Sequence, residues 1–184
     1  MMNNHFLIVI DMQNDFITGS LGTKEAQGIV SKVVERIKKA REEGWEIWCT
    51  KDTHYNNYAL TQEGRKLPVP HCLYGTEGHA LHPDVLAALV EYPVMEYPKA
   101  TFGSVHLADD LAFAVDNSHL PQNLAVIEIV GLCTDICVVS NALMIKANLP
   151  EAQISVNASC CAGVTPELHE AALKVMASCQ IDII

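Results

Sequence analysis

Positive charge is scarce in this chain: 12 lysines and arginines stand against 22 aspartates and glutamates, a formal net charge of −10. That imbalance removes the electrostatic basis for binding nucleic acid, and no basic cluster is free of interleaved glutamate. Long apolar runs are also missing. Nothing approaches the ~18 consecutive apolar residues of a membrane-spanning helix. The run Phe6–Ile10 is too short for a signal peptide, and no basic residue precedes it. Charged residues of both signs make up only 18% of the chain. A value below the usual ~25% argues against disorder and for a large buried share, extending to the subunit interface of a homo-oligomer. No internal repeat, low-complexity stretch or C-x-x-C pair occurs.

What is present is 184 residues, 49% of them hydrophobic, with seven cysteines. This length suits a single domain over 1–184, able to bury roughly 70% of the surface its unfolded chain exposes. An odd cysteine count in a chain without a secretion signal reads as reduced thiols in the cytoplasm.

Four segments have the unbroken apolar character of strands covered on both faces: Phe6–Met12, Glu46–Lys51, Leu124–Val130 and Gln153–Asn157. Ile181–Ile184 and a weaker segment at Val94–Tyr97 are expected to join them. Helical stripes lie between, over Lys24–Glu43, Asp135–Ala147 and Pro166–Ser178, the last with Thr165 as N-cap and Pro166 at N1. Strand alternating with helix predicts a three-layer α/β/α fold around a doubly wound, mostly parallel sheet. The long aperiodic stretch Thr53–Pro83 is read as a functional loop.

In such sheets ligands bind beyond the carboxyl ends of the strands. Asp11, Asp52, Lys99 and the Cys133–Cys137 segment all fall at that rim. Cys137 would lie in a first helical turn, where the macrodipole favours a thiolate and free N–H groups can hold an oxyanion. By itself, a buried cysteine in a core helix is the commoner reading. Asp11 supplies a carboxylate able to take and return the thiol proton, and Lys99 a cation to hold both charges. Their plainer readings are a helix cap and a solvated surface lysine. Asp52-x-His54 points two side chains the same way from extended backbone, and His71 follows in PVPHC. From spacing alone, a capping aspartate with a surface histidine is again the commoner reading. The remaining histidines, including His79-x-x-His82, read as surface groups, and the adjacent Cys160 and Cys161 as small buried residues.

Together, DMQNDF (Asp11–Phe16), PKATFGS (Pro98–Ser104) and GLCTDICV (Gly131–Val138) resemble the isochorismatase-like cysteine hydrolases, of the nicotinamidase branch. The resemblance runs over essentially the whole chain and implies that fold and a linear amidase activity. It implies Asp11, Lys99 and Cys137 as catalytic triad, with the backbone N–H groups of Cys133 and Cys137 as oxyanion hole. It also implies a cis peptide at Leu132–Cys133 and a substrate pocket bordered by Phe16, with Phe102 and Leu132 as further lining residues. One divalent metal ion, zinc first with iron or manganese as alternatives, would be held by Asp52, His54 and His71. Glu63 of TQEG is the natural fourth ligand. In this family the metal is held to bind the substrate's ring nitrogen. One departure stands out: Pro68 occupies a position where nicotinamidases often carry an aromatic residue, a loss of about 1 kcal/mol of stacking.

The expected function is therefore metal-containing cysteine amidohydrolysis of a small neutral amide, nicotinamide among the candidates. A metal-free carbamoyl or ureido amidohydrolase is the second reading. A non-catalytic thiol- or metal-binding module is the third.

Overall fold

A computed structural model describes residues 4–90 and 93–184. Six strands, β1 (His5–Ile10), β2 (Glu46–Asp52), β3 (Met95–Lys99), β4 (Val126–Leu132), β5 (Gln153–Ala162) and β6 (Asp182–Ile183), form one sheet in the order β3-β2-β1-β4-β5-β6. Every pairing is parallel. The helices are α1 (Asn14–Ile17), α2 (Lys24–Glu42), α3 (Gln62–Lys66), α4 (Pro83–Leu89), α5 (Val105–Asn117), α6 (Val139–Asn148) and α7 (Pro166–Ser178).

The period-2 alternation of a strand explains the three layers. Along β1, Phe6, Ile8 and Ile10 enter the core built with α5, α6 and α7, through Leu107, Leu111, Ile145 and Met176. Leu7 and Val9 point the other way, into a core with α2 and α4 built on Ile29, Val33, Ile37 and Val85. Both sets are almost fully buried, which is why the strand reads as one continuous apolar run. α2 starts where the Thr23 hydroxyl accepts from the Ala26 N–H and stops before Gly44, whose φ of +75° suits glycine. Of its apolar stripe Ile29, Val33, Val34, Ile37 and Ala40, only Val34 is partly exposed.

Several boundaries move. β3 runs through Lys99, so the lysine ends the strand instead of following it. β5 continues past Asn157 to Ala162 because pairing resumes beyond an irregularity opposite Ile129–Gly131, and this takes Cys160 and Cys161 into the strand. The expected helix at 135–147 begins as a single π turn, Thr134–Val138, and becomes α-helical only at Val139. α4 and α5 were not expected, although Leu107, Leu111 and Val115 carry α5's buried face at four-residue spacing. The stretch 53–83 is a loop that contains α3 and a single 3-10 turn at Tyr58–Leu60.

β1 and β4 are neighbours from which the chain winds outward in both directions, so the rim beside them is the topological switch point. Gly131 makes their approach possible: its φ is +121°, and a Cβ there would run into the Ile10 carbonyl. The peptide bond between Leu132 and Cys133 is cis. Among the described residues no helix is long and apolar enough to cross a membrane.

Candidate active site

Parallel strands ending at one rim bring together residues far apart in sequence. Asp11 follows β1 directly, Asp52 and Lys99 are register partners at the ends of β2 and β3, and Cys137 lies in the turn after β4. Lys99 Nζ is 2.6 Å from Asp11 Oδ2, 3.5 Å from Cys137 Sγ and 3.7 Å from Asp52 Oδ1. Asp11 has a left-handed backbone, φ 45°, which costs a non-glycine residue roughly 1–2 kcal/mol. Thr50 holds it there: its hydroxyl donates to Asp11 Oδ1 at 2.6 Å and accepts from the Asp11 N–H at 3.2 Å. All three side chains of the cluster are buried.

Burial sets their charges. It raises the Asp11 carboxyl above its ordinary range, against the opposing pull of Lys99. Burial would strip the Lys99 proton, yet the Asp11 carboxylate, Cys137 and Asp52 reverse this and hold the ammonium firmly charged. Burial and then the Asp11 charge push the Cys137 thiol well above its usual value, outweighing Lys99. Burial and the facing Asp11 carboxyl therefore disfavour the thiolate that a helical first turn would favour.

A second cluster lies beside the first. Asp52 Oδ2 is 2.9 Å from His54 Nε2 and 3.4 Å from His71 Nε2, and Glu63 Oε1 is 3.6 Å from both nitrogens. One donor atom from each of the four residues lies within 4.8 Å of the others. His54 Nε2 is buried without a well-aligned hydrogen bond. Burial lowers the His54 pKa, but Asp52 and Glu63 outweigh it and push it up to about 9. His71 Nδ1 lies 2.9 Å from the Val69 carbonyl, which only accepts, so its proton sits on that nitrogen and Nε2 is turned toward the carboxylates. Two imidazoles, two carboxylates and no thiolate form a donor set suited to zinc, iron or manganese.

Local structure holds these four. Thr61 caps α3, which carries Glu63, and Tyr58 packs its ring on both His54 and His71, 4.8 and 5.1 Å between centroids. Fully buried Gln13 joins β1's end to β2's: its amide donates to the carbonyls of Asp52 and His79 and accepts from the Asp52 N–H at 2.7 Å. Sequence reading missed Thr50, Tyr58 and Gln13 because their partners lie at least several residues away and, for Thr50 and Gln13, on other elements.

The isochorismatase domain family matches residues 5–184. The chain belongs to the isochorismatase family. It is 25% identical to a nicotinamidase/pyrazinamidase of Mycobacterium tuberculosis over 97% of each sequence. Among solved structures it resembles a pyrazinamidase/nicotinamidase from Streptococcus mutans, at 27% identity and TM-score 0.80, covering 98% of this chain and 99% of that one. It also resembles a pyrazinamidase of Pyrococcus horikoshii solved in complex with zinc, at 28% identity, TM-score 0.75 and 98% of each chain. Within the family, this is the nicotinamidase branch that the three sequence motifs resemble.

The other expected residues are less alike in placement. Phe16 faces His71 with ring centroids 5.5 Å apart. Leu132 is wholly buried in the core below the rim, whereas Phe102 is half exposed. Cys133 is part-buried, and its carbonyl accepts from the N–H groups of Ile136 and Val138, each at 3.0 Å. Its thiol is pushed up to about 12 by burial. His79 is not a surface residue. It is buried and its Nε2 pairs with the Thr53 hydroxyl at 3.0 Å, because the loop folds back over the end of β2. His82 caps α4 through its ring nitrogen, and His169 Nδ1 lies 2.8 Å from the Thr134 hydroxyl.

Proposed function

We propose that this isochorismatase-family protein hydrolyses a small primary amide, nicotinamide being the first to try, and releases ammonia through a thioester on Cys137. The contact set of Lys99 carries this reading, because its ammonium touches both the Asp11 carboxylate and the Cys137 thiol inside one buried cluster. The relatives named as nicotinamidases and pyrazinamidases support it.

In the proposed cycle Asp11 starts ionised, Lys99 protonated and Cys137 a neutral thiol. As sulfur bonds to the amide carbon, Asp11 takes the thiol proton, a task its raised basicity suits. Lys99 offsets the negative charge moving through the sulfur. The backbone N–H groups of Cys133 and Cys137 hold the oxyanion, each worth roughly 3–4 kcal/mol. Asp11 then passes the proton to the amide nitrogen, the C–N bond breaks and ammonia leaves. Water enters, loses a proton to Asp11 and attacks the thioester. The C–S bond breaks, and the sulfur recovers the proton as the acid departs.

Asp52, His54, Glu63 and His71 would hold the divalent ion, zinc first with iron or manganese as alternatives. Held by these residues, such an ion would supply a Lewis-acid contact for a ring nitrogen of the substrate, as the family resemblance implies. Phe16, against His71, would border the ring, with half-exposed Phe102 as further lining, whereas Leu132, expected there too, is wholly buried in the core and does not reach it; Pro68 leaves one wall without an aromatic. The free cysteines support a reducing, cytoplasmic setting. Self-association, expected from the low charged fraction, joins the proposal and is read by sedimentation velocity.

The test is ammonia release by the purified protein from nicotinamide, a panel of small amides and N-carbamoyl compounds, with parallel metal analysis. Turnover of nicotinamide or another primary amide, with one ion per chain, is the expected result. Activity on N-carbamoyl compounds alone, in metal-free protein, would move the assignment to the second reading.

A further inference from the structure

Lys99 and Cys137 belong together chemically but not topologically. β3 and β4, which lead to them, are separated in the sheet by β2 and β1, a span of roughly 14 Å at ~4.8 Å per strand. Among the described residues β3 is also an edge strand, paired with β2 alone. The ladder fixes Lys99 on that side through the register Asp52↔Lys99 and a 2.7 Å bond from the Thr53 N–H to the Lys99 carbonyl. The sheet and the Asp11–Lys99 ion pair bring the lysine near the nucleophile, but only by way of β2 and β1, with no ladder bond joining the Lys99 and Cys137 segments directly.

One side chain ties the two segments directly. Asn141 lies on α6, one turn beyond Cys137, and is fully buried. Its Nδ2 donates to the Cys137 carbonyl at 2.7 Å and to the Phe102 carbonyl at 3.3 Å, and its Oδ1 accepts from the Ser104 N–H at 2.9 Å. Both amide hydrogens and the oxygen are therefore engaged, on two separate segments: the nucleophile turn and the loop that leaves Lys99. That loop is short and internally tied, with the Thr101 hydroxyl donating to the Gly103 carbonyl and Ser104 capping α5. It also lies close on α6, since a Cβ at Gly103 would press on Met144 Sδ and sit 3.3 Å from Ser140 Cβ. Asparagine is a weak helix former, and its place here is accounted for by these bonds.

We propose that Asn141 is a positioning residue that sets the Lys99–Cys137 distance by stapling the 102–104 loop to the nucleophile turn. This rests on the proposed amide hydrolysis for its effect on turnover, but not for its effect on the thiol. Misplacement of reacting groups by ~1 Å can cost about 100-fold, so Asn141→Ala should lower kcat by about 10- to 100-fold with KM little changed. Alkylation of Cys137 by iodoacetamide, followed by mass spectrometry, should slow by a comparable factor, while exposed Cys179 serves as the unchanged internal control.

The deciding experiment is a double-mutant cycle with Lys99→Met, read by alkylation rate. If Asn141 acts through the lysine, Asn141→Ala slows labelling much less in the Lys99→Met protein than in the wild type. Equal slowing in both backgrounds, or unaltered labelling in a folded Asn141→Ala protein, overturns the proposal. Asn141→Asp, which keeps the shape and the Ser104 acceptor but loses both donors, runs the same cycle if the alanine variant does not fold. Absence of amide turnover in the wild type, with the cycle still non-additive, would sink the amide reading and leave the staple standing.

Discussion

The two clusters at the rim are built in opposite ways. Asp11, Lys99 and the turn holding Cys137 come directly off three parallel strands, and no point of the triad depends on a long loop. Of the other four residues only Asp52 comes from a strand. His54, Glu63 and His71 sit on the 53–83 excursion, held by the bond of the His54 N–H to the Cys72 carbonyl, by the Thr61 cap and by Tyr58. Asp15 adds a tie from α1, accepting from the Cys72 N–H at 2.7 Å. On the proposed roles the difference is one of tolerance: bond-making groups need placement within a fraction of an ångström, which strand ends help to supply, whereas ligand selection can vary with a loop. Asp52 touches both clusters, through Lys99 on one oxygen and the two histidines on the other.

Four perturbations break or sharpen that contrast. Cys137→Ala should abolish amide turnover, by about 10⁴-fold or more, while leaving metal content unchanged; an assay of ammonia with elemental analysis reads both. Metal removal, or His71→Ala, should reverse the pattern: turnover falls because substrate is no longer held, yet iodoacetamide labels Cys137 at nearly the native rate. Loss of labelling on metal removal would show the clusters to be one device. Thr61→Ala removes a helix cap worth about 1 kcal/mol, so metal retention against a chelator should weaken about five-fold, with little change in labelling.

The fourth concerns proton transfer. Asp11 must be ionised to accept the thiol proton, and burial raises its pKa above the ordinary value of 3.8. The acid limb of kcat/KM should therefore lie above the usual carboxylate range, activity falling as pH drops through it. Thr50→Val removes a hydrogen bond that favours the charged form, so it should move the limb to higher pH. A shift in the other direction would count against Asp11 as the base.

The parallel sheet was legible in the sequence because strands buried on both faces leave unbroken apolar runs such as FLIVI. The meeting of Asp11, Lys99 and the Cys137 turn at one rim was legible because strand ends at a switch point need no knowledge of packing. What escaped depends on tertiary partners. Burial and Asp11 push the Cys137 thiol up, against the pull expected from its helix position. His79 reads as a loop residue until Thr53 is seen to pair with it. The gathering of Glu63 with His54 and His71 was expected from the family resemblance alone, because it needs the fold-back of the 53–83 loop, which no periodicity encodes. Asn141 did leave a signal, a polar amide in a helix that otherwise buries Ala142 and Ile145, but its meaning lies in the 102–104 loop.

The most direct measurement is rapid-quench mass spectrometry of the protein turning over nicotinamide. The expected result is a transient acyl adduct on the peptide containing Cys137, of the mass left after loss of ammonia, and absent from Cys137→Ala. Ammonia release at the native rate by Cys137→Ala, with no adduct on the native protein, would contradict it.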